Sequence, residues 1–204
     1  MPDRQQSRRT PAGGLVHDLA TLDRALYETV TITHTPTLDT ALRRLSTAAD
    51  HSKISLATAA LLALCPGRPR RAAAMGVAAI GVASATANLV GKRLVRRPRP
   101  HRAADSPFPG RHVPMPQSAS FPSGHTASAV AFAAAVSPLL PGAAIPLGLL
   151  ASAVGYSRVH TGVHYPGDVI AGAVLGTGAA AVVLGAVGHV AGWETYLPFR
   201  APRP

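Results

Sequence analysis

The strongest constraint on this chain is a set of apolar runs that exclude charge and end at a cation or a break. Residues 72–90 carry no charged side chain and lie between Arg71 and Lys92. Residues 125–140 are apolar after their first few positions and stop at Pro141-Gly142, a helix-breaking pair. Residues 143–156 follow at once and stop at Ser157-Arg158, and 169–190 have only His189 as an ionisable interruption. A shorter run, 54–64, reaches spanning length only if 48–53 continue the same helix, with Lys53 snorkelling to the interface. Crossing a bilayer takes about 20 apolar residues, within a range of roughly 17–25. The runs are rich in Ala and Gly, including Gly172, Gly176, Gly178 and Gly185, which suits close helix packing in lipid. The expectation is an all-α integral membrane bundle of about five transmembrane helices.

Composition decides between two readings of the charge. The net charge of +11 fits either nucleic acid or an anionic membrane. No nucleic-acid-binding signature accompanies the cations, and the four Phe and four Tyr are not interleaved with them. With 47% hydrophobic and only 14% charged residues, the partner expected is the lipid bilayer and not nucleic acid. Cys65 is the only cysteine, so no intrachain disulfide can form. The opening MPDRQQSRRTPAGG is not followed by a compact apolar h-region, so a cleaved signal peptide is not expected.

Two amphipathic segments precede the runs. Leu15, Leu19, Leu22 and Leu26 share one helical face, as do Leu38, Leu42 and Leu45 after Pro36. The second segment is expected to lie in the membrane interface, while the first fits either the interface or ordinary packing on the bundle. The chain thus divides into a tail (1–14), amphipathic helices (15–50), a membrane domain (51–192) and a C-terminal tail (193–204).

Once the helices are placed, the remaining polar residues form three groups. Lys92 opens KRLVRRPRP after the second span, SFPSGH (120–125) opens the third, and SRVHTGVHYPGD (157–168) joins the fourth to the fifth. Counting crossings puts all three on one face, so the charge is concentrated where the loops meet to form one site. Lys92, Arg99 and Arg158 can surround a compact anion, Arg as a bidentate fork and Lys as a point charge. Pro122-Ser123-Gly124 reads as a helix start, whose free N–H groups and dipole favour phosphate. His125, His164 and Asp168 can supply nucleophile, acid and orienting group.

These residues resemble the type-2 phosphatidic acid phosphatases (lipid phosphate phosphatases), which share their site with vanadium haloperoxidases and bacterial acid phosphatases. The first motif of that family, K-x6-R-P, is matched by Lys92, Arg99 and Pro100, and the second, P-S-G-H, by residues 122–125. The third, S-R-x5-H-x3-D, is matched by Ser157, Arg158, His164 and Asp168. The resemblance covers roughly residues 38–192, and the N-terminal 36 residues carry no motif. It implies that His164 attacks phosphorus and forms a phosphohistidine, with Asp168 holding its other ring nitrogen. His125 would protonate the leaving alkoxide and then activate water. Lys92, Arg99, Arg158, Ser123 and the Gly124 N–H would neutralise the phosphoryl oxygens, with no metal or other cofactor. The implied substrate is a phosphorylated membrane lipid, such as phosphatidic acid, phosphatidylglycerophosphate, or a polyprenyl phosphate, diphosphate or phosphosugar phosphate. A haloperoxidase holding vanadate is disfavoured by the membrane helices, and a non-catalytic lipid-binding or transport protein by the intact His125, His164 and Asp168.

Other polar residues have blander readings. His160 stands four residues before His164, a spacing two zinc ligands can use, but Gly162, Pro166 and Gly167 argue against a regular helix there. His101, His112 and Asp105 read as solvated loop residues, and Arg93, Arg96 and Arg97 as interfacial snorkels. His189 and Trp193 read as anchors at the far interface. Five spans leave only Arg68, Arg70, Arg71, Arg200 and Arg203 of the 20 Lys and Arg on the face opposite the motifs. The excess survives removal of Lys92, Arg99 and Arg158, so the positive-inside rule directs the site toward the cytoplasm.

Overall fold

The computed structural model describes residues 11–102 and 108–191. The chain forms α1 (Pro11–Ile32), α2 (Pro36–Ala48), α3 (Lys53–Ala63), α4 (Arg68–Ala85), α5 (Lys92–Leu94), α6 (Gly124–Val136), α7 (Ala144–His160) and α8 (Pro166–Ala191), with no strand among the described residues. Pro36 sits in the first turn of α2, where its missing N–H costs nothing. A π-helical turn, Thr86–Gly91, carries α4 into α5, so that Arg68–Leu94 runs as one 27-residue rod. That rod and Pro166–His189 are long and apolar enough to cross a membrane, whereas α6 has only 13 residues and α3 only 11. Residues 1–10 of the expected N-terminal tail, the C-terminal tail, Trp193 and Asp105 lie outside the described residues, whereas residues 11–14, expected as tail, begin α1.

Two boundaries differ from expectation. Residues 48–53 do not extend α3 toward spanning length, because a 3-10 turn, Asp50–Ser52, separates α2 from α3. His51 (φ 54°) and Ser52 (φ 59°) both adopt left-handed backbone, which no α-helix continues and which costs each non-glycine residue of order 1–3 kcal/mol. Lys53 therefore begins a helix and does not lie within one. At the other end, α7 runs past Tyr156 to His160, so Ser157, Arg158 and His160 occupy its last turn. Cations there complement the helix dipole.

Packing places small residues inside and large ones outside. α6 is the central helix, with α4, α7 and α8 against it. One buried cluster consists of Ala79, Ala83, Ala127, Ala131, Ala135, Ala179, Ala180 and Val183. Leu61, Ile145, Leu149, Ile170, Val174 and Val182 stand exposed on the outer surface. Water would favour the reverse arrangement, whereas lipid solvates the large side chains and rewards close backbone approach. Gly172 and Gly176 are where α8 meets α6: a Cβ on Gly172 would sit 2.5 Å from the Ser123 carbonyl oxygen, and one on Gly176 would meet the Ala127 carbonyl oxygen and, at 2.9 Å, the Ala131 nitrogen.

Because the obstructing atoms at Gly176 are backbone, they cannot yield as a side chain would. Gly176→Ala is expected to cost about 1–3 kcal/mol by overpacking and to lower Tm in detergent. Gly178→Ala, with nothing within 4 Å of its Cβ, is expected to leave Tm level or slightly raised. Equal Tm values for the two variants would overturn the α6–α8 contact.

Candidate active site

The site is organised around a carboxylate in the first turn of α8. Asp168 is fully buried, and its oxygens are nonetheless well supplied with donors. The Tyr165 N–H donates to Oδ2 at 2.9 Å, the Ser120 hydroxyl donates to the same oxygen, and Arg97 Nη1 donates to Oδ1 at 3.0 Å. The Asp168 carbonyl accepts from the Ser123 N–H at 2.9 Å, linking the second and third motifs through backbone. Arg97 is itself held by Asp23 of α1 (2.6 Å) and lies 4.1 Å from the Tyr165 ring centroid. The Gly167 N–H donates to the other oxygen of Asp23 at 2.7 Å. Arg97 is therefore an ion-pair bridge from α1 to Asp168 and not an interfacial snorkel.

His164 follows the α7–α8 turn, which reverses at Gly162 (φ 71°). Its Nδ1 faces Asp168 Oδ2 at 3.4 Å, long for a hydrogen bond, and has no hydrogen-bond partner among the described residues. Its Nε2 lies 3.3 Å from Arg99 Nη1. Burial pushes the imidazole pKa down to about 4; Asp168 opposes that shift, while Arg99 and Arg158 add to it. The ring is therefore neutral at pH 7, with the nitrogen away from Asp168 directed at the cavity.

That cavity, about 500 Å³, is lined by Lys92, Arg99, Gly124, His125, Arg158 and His164, together with Asp50 and Ser118. Arg99 is aimed by main-chain acceptors: Nε donates to the Ser118 carbonyl at 2.8 Å and Nη1 to the Val163 carbonyl at 2.7 Å. Lys92 Nζ donates to Asn88 Oδ1 (2.7 Å) and Ser118 Oγ (3.2 Å). Arg158, 2% exposed, donates from Nη1 to Ser46 Oγ of α2 at 2.6 Å. Ser123 is the N-cap of α6: its hydroxyl accepts from the Thr126 N–H at 3.4 Å and sits 2.9 Å from Thr126 Oγ1. It is fully buried and does not line the cavity, and Asp168 lies behind His164.

Six of the eight residues singled out in the sequence thus line one cavity, and the other two support it. Sequence reasoning missed Asp50, whose Oδ1 lies 2.8 Å from His125 Nε2 and 3.8 Å from Arg158 Nη1. It also missed Asn88, Ser118, Ser120 and the bridging role of Arg97. Asn88 could have been found, since it stands four residues before Lys92 on one helix. Asp50 is one of only nine acidic residues in the chain, and that scarcity is its one signal in the sequence. His160 turns away from His164: its Nε2 lies 2.9 Å from Asp39 of α2, which also pairs with buried Arg111 at 3.0 Å. His101 is exposed, whereas His112 is half-buried.

Known proteins resemble this chain in both sequence and fold. The family model of the PAP2 superfamily matches residues 72–190. The decaprenylphosphoryl-5-phosphoribose phosphatase of Mycobacterium tuberculosis is 38% identical over 141 residues, spanning 69% of this chain and 76% of that protein. The lipid A 1-phosphatase of Rhizobium johnstonii is 40% identical over 96 residues, 44% of this chain and 37% of that one. Among solved structures, a transmembrane PAP2-type phosphatidylglycerolphosphate phosphatase from Bacillus subtilis superimposes with a TM-score of 0.69 at 22% identity, over 92% of each chain. LpxE of Aquifex aeolicus gives 0.66 at 23% identity, over 80% of this chain and 95% of its own. The matched segment contains all three motifs and more than half of the sequence, and the chain belongs to the PAP2 superfamily.

Proposed function

We propose that the protein is a membrane lipid phosphatase that removes a terminal phosphate through a phosphohistidine, using no metal. The observation that carries the reading is the meeting of His125, His164, Lys92, Arg99 and Arg158 at one cavity, with Asp168 behind His164. The neutral Nε2 of His164 attacks phosphorus, the bond to the lipid oxygen breaks, and His125 gives that oxygen its proton. Water then loses a proton to His125 and attacks the phosphohistidine, so the P–N bond breaks and inorganic phosphate leaves. Asp168 stabilises the imidazolium that forms in between. Lys92, Arg99, Arg158 and the Gly124 N–H hold the phosphoryl oxygens, and such preorganised charge is usually the largest catalytic term. Ser123 acts through the helix start that it caps. Asp50, 2.8 Å from His125 Nε2, opposes the burial and the Arg158 charge that favour the neutral ring. The substrate is a phosphorylated phospholipid or polyprenyl-type lipid, a class that includes the compound for which the mycobacterial relative is named.

His164→Ala is expected to abolish turnover of every substrate while the protein still folds in detergent. His125→Ala should slow lipid hydrolysis by roughly 10²–10⁴-fold and p-nitrophenyl phosphate much less, since its leaving group needs no proton. Wild-type rates from His164→Ala would end the assignment.

Activity should persist in excess EDTA, and vanadate should compete with substrate by becoming five-coordinate among the cations. Loss in EDTA with recovery on adding zinc or magnesium would show that a metal is required.

The protein is a membrane protein, and we propose that its site lies on the cytoplasmic face, which is the face richer in Lys and Arg when the five apolar runs are counted as crossings. Ser106→Cys in a Cys65→Ser background should resist a membrane-impermeant thiol reagent in intact cells and react after permeabilisation. Ready labelling of intact cells would place the site outside.

A further inference from the structure

A second basic basin lies beside the active-site cavity and plays no part in the chemistry described above. It measures about 470 Å³ and is lined by Arg43, Arg44 and Thr47 of α2, Lys53 at the start of α3, His112, and the Val113–Pro114 segment. Val113 and Pro114 also line the active-site cavity, so the two spaces share a wall. Arg43, Arg44 and Lys53 carry no ion pair among the described residues. The nearby acidic side chains are already engaged, Asp39 with Arg111 and His160, and Asp50 with His125 and Arg158. The local field is cationic, and burial together with Arg102 and Arg111 keeps His112 below its ordinary pKa.

The wall is fixed to both sides. Arg102 donates to the Val113 carbonyl at 2.7 Å and to the Thr161 carbonyl at 2.9 Å, tying it to the turn before His164. Arg111, two residues before Val113, pairs with Asp39 on α2. Helix α2 is in turn pinned to α7 through the Ser46–Arg158 hydrogen bond. A basin built this way stands at a set offset from His164, and Arg43, Arg44 and Lys53 have no ion-pair partner among the described residues.

We propose that this basin takes a second phosphate of the same substrate, a phosphodiester further along the lipid, so that the preferred substrate carries two separated phosphates. This rests on the phosphatase reading above and narrows its substrate class. A lipid with one phosphate leaves Arg43, Arg44 and Lys53 unmatched, whereas one with two gains charge-assisted hydrogen bonds at no cost to the reacting centre. The gain is uniform binding, which lowers KM without raising kcat.

The test uses the full chain in neutral dodecyl maltoside micelles. Its probes are dioleoyl phosphatidic acid (one phosphate), dioleoyl phosphatidylglycerophosphate (a terminal phosphate and a phosphodiester) and p-nitrophenyl phosphate. The two-phosphate lipid should show a kcat/KM at least about tenfold higher than the one-phosphate lipid, mainly through KM. Arg43→Gln/Arg44→Gln/Lys53→Gln should bring that ratio close to one, and Arg44→Gln alone should lower it part of the way, which keeps the test alive if the triple variant fails to fold. A wild-type ratio near one, or a ratio that survives both variants, overturns the proposal. Dioleoyl phosphatidylglycerol, which has the phosphodiester alone, should compete with the two-phosphate lipid. If it instead speeds hydrolysis of phosphatidic acid by wild type and not by the variants, the basin holds a neighbouring lipid and the proposal falls. p-Nitrophenyl phosphate separates the two levels: a wild type inert on it and on both lipids sinks the phosphatase reading, while an active wild type with a lipid ratio near one sinks only this inference.

Discussion

A fully buried carboxylate is tolerable only where the protein supplies what water would have given it, and Asp168 imposes that demand on much of the bundle. Its donors come from the loop before α6, the turn before α8 and the segment after α5, and its own carbonyl holds the start of α6. Removing any one donor would leave charge unmatched in a dry place, so the pieces that carry the three motifs are held in one arrangement. The site is thus assembled by the cost of an unpaired charge as much as by apolar packing. The helices around it are lined with alanine, which contributes close approach and little directional force.

The inside-out distribution of side-chain size follows from the same economy. Alanine and glycine faces let α6 and α8 approach until main chain touches main chain, and the bulky aliphatics are turned outward. Such a scaffold is stiff at the helix contacts nearest the turn that carries His164: Gly172 abuts the carbonyl of Ser123, the residue that caps α6 and is bonded to Asp168. The helix pair that carries His125 and Asp168 is therefore fixed in register by two missing methyl groups.

Much of this was legible in the sequence because the governing signals are local. Charge-free runs, the Pro141-Gly142 break and the Ser123 cap each follow from a few adjacent residues, and α4, α6, α7 and α8 lie close to where those runs put them. The sequence reads residues 157–168 as a connection between two spans, yet its first residues complete α7, where Arg158 complements the helix dipole. What sequence did not reveal was long-range pairing. Nothing near Asp50 announces a histidine 75 residues away, and nothing in KRLVRRPRP separates Arg97, which reaches Asp168 and Asp23, from exposed Arg93 and Arg96. The turn at His51 and Ser52 was equally hidden, because left-handed backbone at non-glycine residues is imposed by tertiary contacts and not by propensity.

The turn between α2 and α3 lies before the segment that defines the family, yet it brings a carboxylate to the histidine at the head of α6. The same N-terminal stretch supplies Ser46 to Arg158 and Asp39 to His160. The motif residues are thus embedded in a frame that lies partly outside the segment matched by the family model. A change in that N-terminal frame therefore reaches the histidine and the arginine of the site through hydrogen bonds, with every motif residue left in place.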